Sequence, residues 1–446
     1  MSRPNTASKE RYDDMEQLND ITSAAVKKLL ELGAQKAQAC AARTETREFN
    51  VEGGEFNLLR TLFDNSLSLT AIKDGKKGSI SGNRFDGAAI AEMAADCISS
   101  AADGDPDPAW DIAPAENRGS FLVGAPECDL DLFFERLREL VADIKTRHPL
   151  IMIEQLIAQH IKEKEVYLNS NGAHFETTSG CYDVSLMFSA HEGEKGSSFF
   201  ETSVRTAELS KPMIELGSFE SDLAAVEKQI DTVPVEGKST GTMVLAPGCL
   251  NEMLEMAIFN FTGDIPMLNG TSIWREKLGQ KVADERLTVS RAPFDSRIVF
   301  GERHTGEGFA SEDFDLIENG VLKSFSLSNY VANKTGLPRA KNSSSCLLVA
   351  PGERPLAEII AGIDNGILVL RFSGGEPGVN GDFSGVAKNS FIIRGGAIAE
   401  AVSETMISGN LDQMLRSIRD ISCETVENGS SVLPYIAFDG ITISGK

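Results

Sequence analysis

The sequence predicts an α+β protein: an N-terminal helix/strand, sandwich-like region whose element order repeats once, followed by a β-rich C-terminal domain. Three observations predict it. An amphipathic helical segment followed by extended stretches occurs twice before residue 235. An acidic, Pro-containing stretch separates the two occurrences. From Gly241 onward, short apolar runs are broken by Gly, Asn and Asp, the texture of a sheet-rich domain. The expected divisions are a flexible tail at 1–16, an N-terminal α+β domain at 17–103, a linker at 104–126, a middle α+β region at 127–235 and the β-rich domain at 236–446.

The first helix is expected from about Asn19 to Leu32, where Ile21, Ala25, Val26, Leu29 and Leu30 recur near helical spacing and Gly33 supplies a stop. Residues 38–50 and 55–63 alternate as strands around the turn Glu52-Gly53-Gly54-Glu55. Residues 66–72 and 77–81 form a hairpin around Asp74-Gly75. A helix follows at 87–101. Asp103-Gly104-Asp105-Pro106-Asp107-Pro108 then opens a connector, because alternating Asp and Pro holds neither a helix nor a central strand. Its carboxylates lack the spacing of a calcium loop. A second amphipathic helix is expected at 130–145, strands at 152–161, 164–170 and 174–190 with Asn171-Gly172 in the intervening turn, and a helix at 222–230. The helix-then-strands order suggests a duplication, with no clear sequence repeat behind it. In the last domain, strands are expected at 243–245, 298–300, 347–349, 367–372, 390–393 and 435–438, and helices at 250–260, 356–361 and 411–417.

The chain has 446 residues and a net charge of −23, which disfavours nucleic acid and anionic membrane surfaces as partners, since both need a basic footprint. Its seven cysteines are scattered with no CxxC, the usage of a reducing compartment. The start, Met1-Ser2-Arg3-Pro4-Asn5, lacks the apolar core of a secretory signal, and no apolar run is long enough to span a bilayer. The expected location is the cytoplasm.

Three linked blocks carry a resemblance. They are Leu316-Ile317-Glu318-Asn319-Gly320 with Leu327-Ser328-Asn329-Tyr330 through Thr335-Gly336-Leu337; Gly362-Ile363-Asp364-Asn365-Gly366 running to Gly378-Val379-Asn380-Gly381-Asp382; and Val402-Ser403-Glu404-Thr405 through Ser408-Gly409-Asn410-Leu411. The chain resembles the TldD/PmbA family, also called the modulator of DNA gyrase family, specifically from Gly241 and more weakly before it. TldD-type members carry HExxxH after an Ala/Gly-Pro-Gly start, with a Cys near the chain end completing a zinc site. Here the start is Ala246-Pro247-Gly248, and Asn251-Glu252-Met253-Leu254-Glu255-Met256 follows; no His lies between His191 and His304. The chain therefore looks like the PmbA (TldE) half.

The resemblance implies a non-metal subunit of a zinc metallopeptidase acting on unfolded peptides, with substrate backbone held as an added strand. The cofactor reading is none in this chain and zinc in a TldD-like partner. The partner reading is a heterodimer with that subunit or a homodimer. The alternative is a non-catalytic homodimer that binds peptide or protein. A third reading is an independent hydrolase using Cys423 or His304.

No catalytic residue is assigned and no metal ligand. The cavity or substrate candidates are Asn251, Glu252 and Glu255, each of which has a plainer place on the solvated or partner-facing side of a helix. Cys423 stands near the family's metal-Cys position, where a lone thiolate makes no zinc site, and reads otherwise as a small buried residue. His304 has the chemistry of a general base, but no nucleophile motif accompanies it and a loop position is the simpler reading. The run Ser373-Gly374-Gly375 through Asp382 lacks GxxxxGK[ST] and reads as a wide strand-to-strand loop. Ser343-Ser344-Ser345-Cys346 reads as a loop entering a strand. By resemblance, 291–305 and 329–342 lie near the active cleft and subunit contact, and Pro338-Arg339-Ala340-Lys341-Asn342 departs from the usual family loop.

Overall fold

The computed structural model describes residues 6–403 and 405–445. The first helix, α1 (Thr6–Glu31), begins well before the expected Asn19. Its polar first half lacks an apolar stripe but is made of good helix formers free of Gly and Pro. It is also tied down: the Asp14 carboxylate accepts from Arg43 and from Lys164, each at 2.8 Å. The tail expected at 1–16 is thus helical from Thr6, and residues 1–5 lie outside the described residues.

Strands β1 (Lys36–Glu52), β2 (Glu55–Lys73) and β3 (Lys76–Gly82) follow as an antiparallel meander. Both hairpin turns need two residues at positive φ, and both have them: Gly53 and Gly54 in the first, Asp74 and Gly75 in the second. Helix α2 (Gly87–Asp103) is capped by the Asp86 carboxylate. The second occurrence comprises α3 (Leu130–Arg147), β5 (Ile151–Asn169), β6 (His174–Glu192), the short β7 (Lys195–Gly196), β8 (Phe200–Thr206) and α4 (Phe219–Glu227). The strands expected separately at 152–161 and 164–170 are one continuous strand, because Lys162 and Glu163 stay in register with Gly180 and Ser179.

The connector expected at 104–126 is no boundary. Its second half is β4 (Arg118–Gly124), which pairs in parallel with β6. The two α+β units share a single sheet, because β1 pairs antiparallel with β5 from Gln38↔Asn169 to Glu52↔Gln155. The strand order is β3-β2-β1-β5-β6-β4, with β8 also on β6. Helices α1 and α2 bury Leu18, Ala25, Leu29, Ile90 and Cys97 over the alanine stripe Ala37, Ala39 and Ala41.

The C-terminal domain centres on strand Lys238–Leu245, which runs parallel to Asn365–Val369 and antiparallel to Val432–Ser444. Helix α5 (Pro247–Thr262) packs Leu250, Met253, Ala257 and Phe261 against this sheet. Residues 298–300, expected as a strand, are irregular; two backbone bonds, Ile298 N to Asp295 O and Val299 N to Gly429 O, hold them. The glycine-rich 374–381 joins two paired strands, and at Gly375, with φ +60°, an added Cβ would lie 1.6 Å from Ser384 O. Phe133, Leu137 and Val184 share one apolar cluster with Val244, Ile359 and Phe391, so the duplicated unit and the C-terminal domain are welded by a common core. No helix among the described residues is long and apolar enough to cross a membrane.

Candidate functional site

Helix α5 begins with Pro247 at its first turn, where the missing N–H costs nothing. It presents the three candidate residues. Asn251 is half-buried and its Oδ1 has no hydrogen-bond partner. Glu252 is exposed; loss of hydration against the surrounding protein pushes its carboxyl pKa up, against the pull of Arg371. Glu255 differs from the expected solvated residue. Both its oxygens accept from Arg291, Oε1 from Nη1 and Oε2 from Nη2, each at 2.7 Å. Such a planar fork is the strong form of the Arg–carboxylate pair, and the Arg291 side chain is only 9% exposed.

Arg291 lines a cavity of about 550 Å³ where the duplicated unit meets the C-terminal domain. Lys77 and Trp110 approach from one side; Arg291, Ser326, Tyr330 and Arg339 close it from the other. The Trp110 ring stacks on Tyr330 at 3.7 Å, and Lys77 Nζ sits 4.6 Å from the Trp110 ring centre. Tyr330, on α7 (Asn329–Thr335), donates its hydroxyl to Asp107 at 3.0 Å, and Lys334 pairs with the same carboxylate, holding its pKa below the usual range. α6 (Asp264–Asn269) contributes Asp264, which accepts from Ser328 N. A second cavity, of about 330 Å³, shares Ser344 with the first and is lined by Glu163, Glu165, Glu302, Arg303 and His304.

His304 is buried, not on a surface loop. Its Nε2 lies 2.8 Å from Glu165 Oε1 and its Nδ1 lies 3.0 Å from the Thr305 carbonyl. In its charged form, which the Glu165 carboxylate favours, the ring donates from both nitrogens to these two oxygens. Burial alone would lower the His304 pKa; the Glu165 carboxylate outweighs it and holds the pKa up. Burial likewise works to raise Glu165, and His304 brings it below the usual value. The ring stacks on Phe175 at 4.6 Å. With both ring nitrogens engaged, His304 ties the sheet to the C-terminal domain.

Cys423 is exposed, contrary to the buried position expected of it. Its Sγ lies 3.5 Å from Glu424, and lost hydration together with that carboxylate pushes its thiol pKa up. A metal-binding thiolate needs the opposite surroundings. The residues at the start of α5 likewise do not fit zinc. One carboxylate is already neutralised by a guanidinium, and no imidazole is at hand. Among the described residues, no group of three or more His, Cys, Asp or Glu is arranged to hold a metal ion.

The structure therefore brings Glu255 to the cleft and leaves Cys423 outside the helix and cavities that surround it. Sequence reasoning missed Glu163, Glu165 and Trp110, and reached Arg291 and Arg339 only as parts of segments expected near the cleft. Only the Glu163/Glu165 spacing, two residues apart on one strand face, left a local signal.

Fold and site define a two-part α+β chain with a polar interdomain cleft beside a Pro-started helix. Residues 238–445 match the model of the PmbA/TldA metallopeptidase C-terminal domain. It is similar to metalloprotease PmbA of Escherichia coli O157:H7, 24% identical over 94% of this chain and 96% of that one. It is also similar to a zinc metalloprotease TldD homolog of Saccharolobus solfataricus, 24% identical over 64% of this chain and 67% of that one. The fold matches TldE from Thermococcus kodakarensis with a TM-score of 0.82, at 21% identity over 94% of this chain and all of that one. A Bacteroides thetaiotaomicron protein provisionally assigned as a modulator of DNA gyrase also gives 0.82, at 24% identity over 96% and 99%. At these identities the two structures establish the fold alone.

Proposed function

We propose that this chain is a PmbA-type, non-metal subunit of a metallopeptidase that acts on unfolded peptides, with the catalytic zinc in a TldD-type partner. The observation that carries the reading is the Glu255–Arg291 fork. At the helix where the resemblance places a zinc motif, this chain has an Arg-neutralised carboxylate and no imidazole. A guanidinium held there repels a divalent cation and favours an anionic or polar group. The chain's own contribution is then to wall the cleft. The stacked Trp110 and Tyr330, the buried His304–Glu165 pair and the shared core hold that wall in place.

The test is reconstitution. Purified chain, a TldD-type chain carrying HExxxH, and their mixture are loaded with zinc, desalted, and assayed for metal and for hydrolysis of an unfolded peptide. The expected result is about one zinc per partner chain, none in this chain, and hydrolysis that needs both. Stoichiometric zinc in this chain alone, or hydrolysis by it alone, rejects the reading. A stable homodimer indifferent to the partner favours a peptide- or protein-binding role instead.

A further inference from the structure

The duplicated unit treats its two outer strands differently. In the second half, the edge of β6 is filled along its length: β4 pairs with residues 174–180 and β8 with residues 182–188. In the first half, β3 pairs with residues 67–73 of β2, the counterpart of β8 on β6. The counterpart of β4 is missing. Among the described residues, no strand pairs with the outer edge of β2 from Glu55 to Ser66. This stretch is exposed on both faces except for half-buried Phe56. It carries Leu58 and Leu62 on one face and Leu59 and Phe63 on the other; Leu59 is 57% exposed and Phe63 76%. An unpaired edge of this length and apolarity is a template for strand addition.

We infer that the outer edge of β2 at residues 59–65 docks an extended apolar peptide strand, in the place that β4 occupies on β6. The occupant's chemistry is read from β4 itself. That strand, Arg118–Gly124, lies parallel to its neighbour, buries Val123 inward and places Phe121 6.4 Å from Phe175, ring centre to ring centre. A peptide adding to β2 alternates its side chains beside Leu59 and Phe63 on one face and Leu58 and Leu62 on the other, so apolar residues suit both. Where β2 leaves its turn, Phe49, Phe56, Leu58, Leu59, Leu130 and Phe134 line an apolar cavity of about 420 Å³, room for one large apolar side chain. Main-chain bonds then supply affinity with little sequence preference, and this cavity supplies what preference there is. The inference rests on the unfolded-peptide reading above and gives it a docking place.

The probe is a fluorescein-labelled heptapeptide with the sequence of residues 118–124, titrated into the full-length chain and followed by hydrogen exchange. The expected result is saturable binding, with new amide protection confined to β2 residues 59–65. Phe63→Lys and Leu62→Glu, both at exposed positions that leave the fold intact, each weaken binding about tenfold. A probe carrying the Leu122→Pro change, which removes a ladder donor, does not bind. Protection elsewhere, or binding unmoved by both variants, overturns the inference while leaving the peptide reading standing. So does protection of residues 59–65 in the free chain that rises with protein concentration, since a second copy would then own the edge. Absence of any binding overturns the inference. Failure of the reconstituted peptidase rejects the functional reading whatever the edge does.

Discussion

At the scale of single residues, two ion pairs set what the cleft can do. Arg291→Ala strands the Glu255 carboxylate and is expected to lower stability by about 3 kcal/mol, read as a shift of the denaturation midpoint. The double change Arg291→Met with Glu255→Leu should recover most of that loss, because it removes both charges together. The His304–Glu165 pair gives a pH signature. The folded His304 pKa is raised above 6.5, so its contribution is full below pH 6.5 and is lost as pH rises through the raised folded value. The folded Glu165 pKa is lowered below 4.5, so its contribution is full above pH 4.5 and is lost as pH falls through the lowered value. The pair therefore stabilises most between about pH 4.5 and 6.5. His304→Gln should flatten the stability profile on the alkaline side of that window, and an unchanged profile would count against the imidazolium. Neither pair could be read from the sequence. Glu255 and Arg291 are 36 positions apart and His304 and Glu165 are 139 apart, and no local spacing signals a partner at that range. Cys423 misled for a related reason: alternation from buried Ile421 would bury the thiol too, but the strand's pairing is irregular between Ile421 and Thr425 and the thiol is exposed.

At the scale of elements, the helix and turn chemistry was legible and the pairing was not. Gly33 and the Gly53-Gly54 and Asp74-Gly75 turns act through backbone preferences of adjacent residues, which a sequence carries directly. β4 was concealed inside an acidic, Pro-containing connector, because a short edge strand needs little apolar periodicity when its partner supplies the register. The polar half of α1 was hidden likewise, since its anchors, Arg43 and Lys164, come from other elements. The contact between β3 and α2 is close enough to test. A Cβ on Gly78 would lie 2.1 Å from the Cys97 carbonyl. Gly78→Ala is expected to cost about 2 kcal/mol and to expose the buried Cys97 thiol to modification at a faster rate. Modification no faster than in the native chain would mean that the helix simply shifts outward.

At the scale of the whole molecule, two bodies share an extensive core at one end and, at the other, a small apolar cluster with polar and stacked contacts around it. Trp110→Ala removes the ring that stacks on Tyr330 and is expected to speed amide exchange across residues 105–113. The amides of β1 and β5 should stay protected, since their long ladder does not depend on that joint. Uniform loosening of both would mean that the stack supports the fold itself and not just the cleft wall. The division of the chain into separate N-terminal and middle domains fails at this scale, for the β1–β5 ladder runs across it. That ladder also imposes an order of events on biosynthesis. Strand β1 leaves the ribosome first and gains β2 on one side soon afterwards, but its other side must wait until β5 has been made. During that interval the nascent chain displays two open ladders instead of one, and its alanine-lined inner strand is as available to a neighbouring nascent chain as to its own later half. The pairing that unites the mature molecule is thus the step at which overexpression should first produce aggregates, and slowing translation between residues 52 and 151 should worsen them.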